Sequence, residues 1–192
     1  MYEEGNGHGP GSDLDALKAY LMAEILYDPS QDDDTIISNF LHAYYGEKVA
    51  PFVRQYMDVM HGSIADTNYY MRENFDHTAA FLTPIALLSS AEALQHGLNL
   101  TDAGSKHHQR VQMAKLAVYY PILLRWDEMH SFATNHSLAW PIEATKEDAL
   151  NWFVTFGSSL TPPLTHLNEG GSHDLSWFKK QVGALGARGA WD

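Results

Sequence analysis

Residues 12–29 read SDLDALKAYLMAEILYDP, and this stretch decides the fold class. Its large aliphatic side chains recur at the three- and four-residue spacing of one helix face, at Leu14, Leu17, Leu21 and Ile25. Ser12, with Asp15 three residues later, resembles the start of a capped helix. Proline disfavours helical geometry in the residue before it, so Asp28-Pro29 ends this first predicted helix.

The helical pattern continues along the chain. A second helix has the apolar stripe Ile36, Ile37, Phe40, Leu41 and Tyr44, and ends at Gly46. A third begins at Pro51 and carries Val53, Tyr56, Met57, Met60 and Ile64. Residues 65–82 lack a clear period and are interpreted as a long connection, where a boundary between two subdomains could fall.

Further helix signals fill the second half. Thr83-Pro84 is a capped start for a helix that ends near Gly97. A long helix is predicted over 106–135, with a kink at Pro121. Another starts at Thr145, and a last one holds Leu175, Phe178 and Val182. Only residues 1–4 and 164–167 resemble marginal strands.

These patterns predict an all-α fold, an irregular bundle of six or seven helices. The predicted domain occupies residues 12–192, and residues 1–11 form an irregular lead-in. Six side chains at inward-facing positions are predicted to be core, namely Phe40, Leu41, Tyr56, Leu88, Val118 and Phe153.

Composition excludes several functional classes. The formal net charge of −12 argues against a nucleic-acid or anionic-membrane surface, which needs basic patches. Cysteine is absent, which excludes disulfide frameworks and zinc–thiolate sites. The start of the sequence has no signal-peptide pattern, and no apolar run is long enough to span a bilayer. The compartment is left open.

Several segments, in the same order, resemble the C-terminal helical part of the DUF4838 family. Residues 23–29 resemble its AKLLWDP segment, and residues 40–46, followed by Ala50-Pro51, resemble its FLxGYYG segment. Later similar segments are 81–84, 91–93, 110–116 and 164–170. The family is similar to glycoside-hydrolase-like proteins with a TIM barrel, related to α-glucuronidase and hexosaminidase-like enzymes.

The resemblance implies that residues 1–11 are the remnant of a last barrel strand and its loop. It also implies that the rest of the barrel precedes Met1, so that the chain is expected to be a C-terminal fragment. The expected partners are that missing barrel domain and a carbohydrate, with no nucleic acid, membrane or cofactor. The isolated chain is then not expected to be catalytic, and a stand-alone helical scaffold or binding module is the alternative.

Four residues are candidates for contact with substrate through this resemblance: Glu3, Glu4, Asn6 and His8. Side chains at the carboxyl end of a barrel strand face the active-site mouth. Glycoside hydrolysis uses two carboxylates across the sugar. Adjacent strand residues point to opposite sides, so Glu3 and Glu4 cannot form that pair together. The competing interpretation is an ordinary acidic terminus.

The other chemical patterns are interpreted as structural. Glu92 with His96 and Asp127 with His130 have helical spacing, but neither pair supplies the three or four ligands of a metal site. The acidic run 32–34 is typical of a helix start and lacks the pattern of a calcium loop. The aromatic residues Tyr44, Tyr45, Trp126, Trp140, Trp152 and Trp177 are predicted to pack in the core, with sugar stacking as the alternative for one or two.

Overall fold

The computed structural model describes residues 12–70, 76–167 and 173–185. These ranges contain eight helices, which are α1 (Asp15–Tyr27), α2 (Asp33–Tyr45), α3 (Ala50–Asp66), α4 (Pro84–Asn99), α5 (Lys106–Leu124), α6 (Trp126–Asn135), α7 (Lys146–Ser159) and α8 (Leu175–Leu185). Strand-like pairing in the described ranges is confined to one bridge between His166 and Asp174. The all-α prediction is confirmed. The marginal strand predicted at residues 1–4 lies outside the described ranges, and the predicted domain boundary after residue 11 lies at their edge. Both stay predictions.

Helix α5 lies at the centre of the bundle. It packs against α2, α4, α6, α7 and α8, while α3 and α4 form the most extensive helix pair. Ten residues of α5 are buried, among them Val111, Val118 and Ile122 of its apolar stripe. Helix α1, in contrast, packs chiefly on α2 and lies at the edge of the bundle.

Side-chain caps fix most of the helix starts that the sequence marks. Thr83 Oγ1 accepts a hydrogen bond from the Ala86 amide at 3.2 Å, and Thr145 Oγ1 accepts one from the Asp148 amide at 3.1 Å. Asp32 Oδ2 accepts from the Thr35 amide at 2.9 Å. These bonds satisfy amides that have no partner inside the helix. They confirm the predicted starts at Thr83 and Thr145 and the helix-start interpretation of the acidic run.

The prediction for the start of α1 was wrong. The N-cap residue is Leu14, in the left-handed conformation with φ 47°, and no side chain caps the helix. Ser12 therefore does not act as the cap. Its neighbour Asp13 is used instead by the tertiary structure, because the Asp13 carboxylate accepts a hydrogen bond from the Tyr56 hydroxyl on α3.

The predicted long helix over 106–135 is two helices, which raises the helix number to eight. Pro121 stays inside α5, and the chain leaves helical geometry only at Arg125, with φ −116° and ψ 29°. Arg125 is anchored by tertiary contacts, because Nη1 donates to the Leu82 carbonyl at 2.5 Å and to the His77 carbonyl at 3.3 Å. The break therefore follows a long-range anchor that the local pattern does not contain.

Five of the six predicted core side chains are buried, and Phe40 is the exception. Phe40 is half-buried between α1 and α2, where its ring centroid lies 4.8 Å from that of Tyr44 and 5.3 Å from that of Tyr20. The apolar stripe predicted for α1 is also not buried along its whole length. Leu17 is buried, but Ile25 is exposed because α1 has a neighbour on one side only.

None of the helices in the described residues has both the length and the apolar character that crossing a bilayer requires.

Candidate functional site

A cavity of about 350 Å³ opens beside the junction of α3, α4 and α5. Its described lining comes from those three helices and from the segments that precede α1, α4 and α8. These residues are Asp13, Tyr56, Met60, Asp76, His77, Phe81, Leu82, Leu87, Ala117, Val118, Tyr120, Pro121, Leu167 and His173. The volume is at the small end of the roughly 300–1,000 Å³ found for small-molecule sites.

The floor of the cavity is apolar. Tyr56, Leu87 and Val118 are buried and come from the inward stripes of α3, α4 and α5. Phe81 and Leu82, which precede α4, are also buried and close one side. The same periodicity that builds the core therefore gives the cavity a surface suited to the apolar face of a ligand.

Two carboxylates lie at the rim. Asp13 Oδ1 accepts the hydrogen bond from the buried Tyr56 hydroxyl. Burial and the nearby Asp13 carboxylate hold the pKa of Tyr56 well above its usual value, so this phenol remains protonated. Asp76 Oδ1 accepts from the Thr78 amide at 2.7 Å and from its hydroxyl. These bonds to Thr78 lower the pKa of Asp76, which keeps its side chain ionised at neutral pH.

An imidazole and a phenol complete the polar rim. Burial, helped by the positive charge of Arg125, lowers the pKa of His77 against the opposite effect of Asp76, so His77 is neutral at pH 7. Burial and then the Asp76 charge raise the pKa of Tyr120, whose ring stacks on Phe178 with centroids 5.2 Å apart. The rim thus offers carboxylate acceptors beside neutral groups that can both donate and accept.

A second polar cluster surrounds Lys115, which is 2 % exposed. Its Nζ donates to Gln95 Oε1 at 2.8 Å and lies 4.9 Å from the ring centroids of both Tyr119 and Trp152. Burial lowers the pKa of Lys115 to about 8, and the Glu143 carboxylate opposes this shift. Lys115 and Tyr119 are closed to solvent, so the ammonium group is a feature of the core.

The sequence interpretation missed both polar groups. Lys115 lies four residues after Val111 and four before Tyr119, within the apolar stripe of α5, so its burial could have been inferred from periodicity. Asp76 and His77 lie in a connection without any period, and no local signal marks them. The predicted substrate contacts Glu3, Glu4, Asn6 and His8 lie outside the described residues; in the sequence, His8 precedes Asp13 by five positions.

The histidines of the two pairs with helical spacing, His96 and His130, make ring contacts. His96 packs edge-on against Phe52 at 5.9 Å, and His130 packs edge-on against Trp140 at 5.1 Å. Within the described part of the chain, no group of three or more His, Asp or Glu side chains is placed to hold a metal ion.

The aromatic residues behave as packing residues, as the sequence predicted. Tyr45 and Trp126 are buried, and Trp126 contacts Trp140 at 5.0 Å. Trp152 stacks on Phe156 at 5.5 Å. Four of the six rings are half-buried and pack against the core, namely Tyr44, Trp140, Trp152 and Trp177. The Arg110 guanidinium lies 3.8 Å from the centroid of the Tyr44 ring, and Trp177 stacks on His173 at 3.8 Å. His173 lines the cavity, so Trp177 contacts one of the lining residues.

Comparison with known families places a match at the start of the chain. Residues 1–58 match the model of the family described as Domain of unknown function (DUF4838). The match spans α1, α2 and the first half of α3, and it supports the resemblance to DUF4838 in this part. The similar segments after residue 58 stay predictions. No curated protein and no solved structure matches the chain.

Proposed function

We propose that this chain is a non-catalytic helical accessory domain of a carbohydrate-active, glycoside-hydrolase-like protein, and that its cavity binds a single sugar ring. The observation that carries the proposal is the pairing of an apolar floor with a rim of Asp13, Asp76, His77 and Tyr120. The match to DUF4838 over residues 1–58 supports the family side of the proposal.

The chemistry of a sugar fits this lining. A pyranose ring presents C–H groups on its faces and hydroxyls around its edge. The C–H groups gain from contact with Leu87, Val118 and Phe81, whereas the hydroxyls need acceptors and donors such as Asp76 and Tyr120. A mostly apolar pocket with a few convergent polar groups is the usual form of a small-ligand site.

The exposed apolar side chains of α1 support the accessory role. Four large apolar side chains on this helix are exposed: Tyr20 by 39 %, Ile25 by 37 %, Leu26 by 51 % and Tyr27 by 89 %. Three of them, Ile25, Leu26 and Tyr27, are consecutive and surround the last turn of α1, and clustered exposed apolar side chains mark interaction surfaces. In the proposed protein this end of α1 contacts the barrel domain. In the alternative, a stand-alone binding module, the same end of α1 contacts another protein.

The test of sugar binding uses ligand-observed NMR and calorimetry with glucose and other monosaccharides. Binding should saturate at one site, and Ala117→Phe, which fills the cavity, should abolish it. Ala43→Phe on the exposed side of α2 is the matched control and should bind as the parent does. Binding that survives Ala117→Phe would place the sugar elsewhere and refute the role of the cavity.

Hydrolysis by the isolated chain is predicted to be absent. A glycosidase needs a carboxylic acid that is protonated near neutral pH, which requires a raised pKa. The pKa of Asp76 is instead lowered by its bonds to Thr78, and His77 is neutral. The measurement is release of aryl groups from a panel of aryl glycosides and uronides. Turnover that is lost in Glu3→Gln with Glu4→Gln, or in Asp76→Asn, would make the chain an enzyme.

The exposed end of α1 gives a prediction on stability. The double variant Leu26→Ser, Tyr27→Ser should change the free energy of unfolding by no more than about 0.5 kcal/mol, because exposed side chains contribute little. Urea denaturation of parent and variant measures the difference. A loss of about 2 kcal/mol would show that another part of the chain covers these two side chains.

A further inference from the structure

The charge at the cavity rim is negative. Asp13 and Asp76 each use Oδ1 for a hydrogen bond within the chain, to Tyr56 and to Thr78. Oδ2 of each carboxylate has no partner among the described residues and remains available to a ligand. The lining therefore offers two carboxylate oxygens beside the apolar floor.

The described lining contains neither lysine nor arginine to balance these charges. The nearest guanidinium, that of Arg125, donates to the carbonyls of His77 and Leu82 and forms two bonds to Glu128, at 2.6 Å and 2.8 Å. Its charge is paired with the Glu128 carboxylate, which lies outside the described lining. Two histidines also line the cavity: burial lowers the pKa of His77, which disfavours its charged form, and the ring of His173 stacks on Trp177.

We propose, on the basis of the sugar-binding function above, that the cavity selects its ligand by charge and prefers an amine-bearing sugar. A protonated amine would form charge-assisted hydrogen bonds with Asp76 and Asp13, which are stronger than those of a hydroxyl. A uronate would place its carboxylate beside these two carboxylates, and like charges at close contact oppose binding. The apolar floor, which contacts the ring alone, is indifferent to the substituent.

The experiment compares three sugars of one size: glucosamine, glucose and glucuronate. Calorimetry at pH 6.5 and low salt should give a Kd for glucosamine about tenfold lower than that for glucose, with no detectable binding of glucuronate. At 0.5 M salt the preference should shrink, because the partly exposed carboxylates are screened.

Matched variants assign the preference to the rim. Asp76→Asn and Asp13→Asn should each bring the Kd of glucosamine close to that of glucose. Asp102→Asn is the control, because Asp102 is exposed and follows the end of α4, whereas Leu87 lines the cavity near the start of that helix. This variant should leave the preference intact. A cooperative thermal unfolding transition verifies that each variant is folded. If one of the two rim variants does not fold, the other still tests the inference.

The outcomes separate the two proposals. Equal binding of all three sugars, or tighter binding of glucuronate, would overturn charge selection and leave sugar binding standing. Loss of the preference in Asp102→Asn would assign it to the net charge of the chain and also overturn the inference. Failure of every sugar to bind would overturn the sugar-binding function itself.

Discussion

Phe153→Ala is expected to lower the free energy of unfolding by about 3–5 kcal/mol, the usual cost of emptying a well-packed phenylalanine site. Phe153 is 1 % exposed and lies on α7, where its ring centroid is 4.8 Å from that of Phe178 on α8. The centre of the core is filled from several helices, so the neighbours cannot collapse into the space that the ring leaves. Urea denaturation at pH 7 measures the loss.

Phe40→Ala is the matched control, because it removes the same atoms from a half-buried site. Its expected cost is about 1–2 kcal/mol, since only part of its apolar surface leaves water on folding. Equal losses in the two variants would contradict the assignment of Phe153 to the core and of Phe40 to the edge of the bundle.

Between pH 8 and pH 10 the protein is expected to become more stable as the pH rises, by up to about 3 kcal/mol from Lys115. The pKa of Lys115 is about 8 in the folded protein and 10.5 at its ordinary value. In this window the unfolded chain binds more protons than the folded chain, so raising the pH favours the folded state. The cost of burying the ammonium among Tyr119 and Trp152 is thereby removed.

Other titrating groups set the upper limit of this window. Burial raises the pKa of Tyr45, Tyr56 and Tyr119 in the folded protein, so their contribution to stability is lost above about pH 10. The pKa of Lys146 is also lowered by burial and adds a smaller effect in the same direction as Lys115. Stability should therefore pass through a maximum near pH 10 rather than near neutrality.

The measurement is urea denaturation at intervals from pH 7 to pH 11. Lys115→Met should flatten the rise between pH 8 and pH 10, because Lys146 alone remains to produce it. Lys106→Met, which removes an exposed lysine from the same helix, should leave the rise intact. Parallel curves for the parent and Lys115→Met would show that Lys115 titrates alike in both states.

The fold could be predicted where local signals and packing agree. The starts at Thr83 and Thr145 depend on a side-chain oxygen that accepts an amide hydrogen bond within the same turn, which the sequence shows directly. The break at Arg125 could not be predicted, because it depends on carbonyls of His77 and Leu82 more than 40 positions earlier. Phe40 was misplaced for the same reason, since its burial depends on α1, a helix with a neighbour on one side only.

The sequence by itself determined the helical periods, the caps and the acidic charge, because these follow from residue spacing and composition. Only the tertiary structure decided that Asp13 accepts a hydrogen bond from Tyr56 and that Asp76, His77 and Tyr120 line one cavity. It also decided that the Lys115 ammonium lies against the rings of Tyr119 and Trp152. Spacing within one helix fixes which face a residue occupies. The neighbour of that face depends on how distant helices pack, and the cavity exists only where those helices meet.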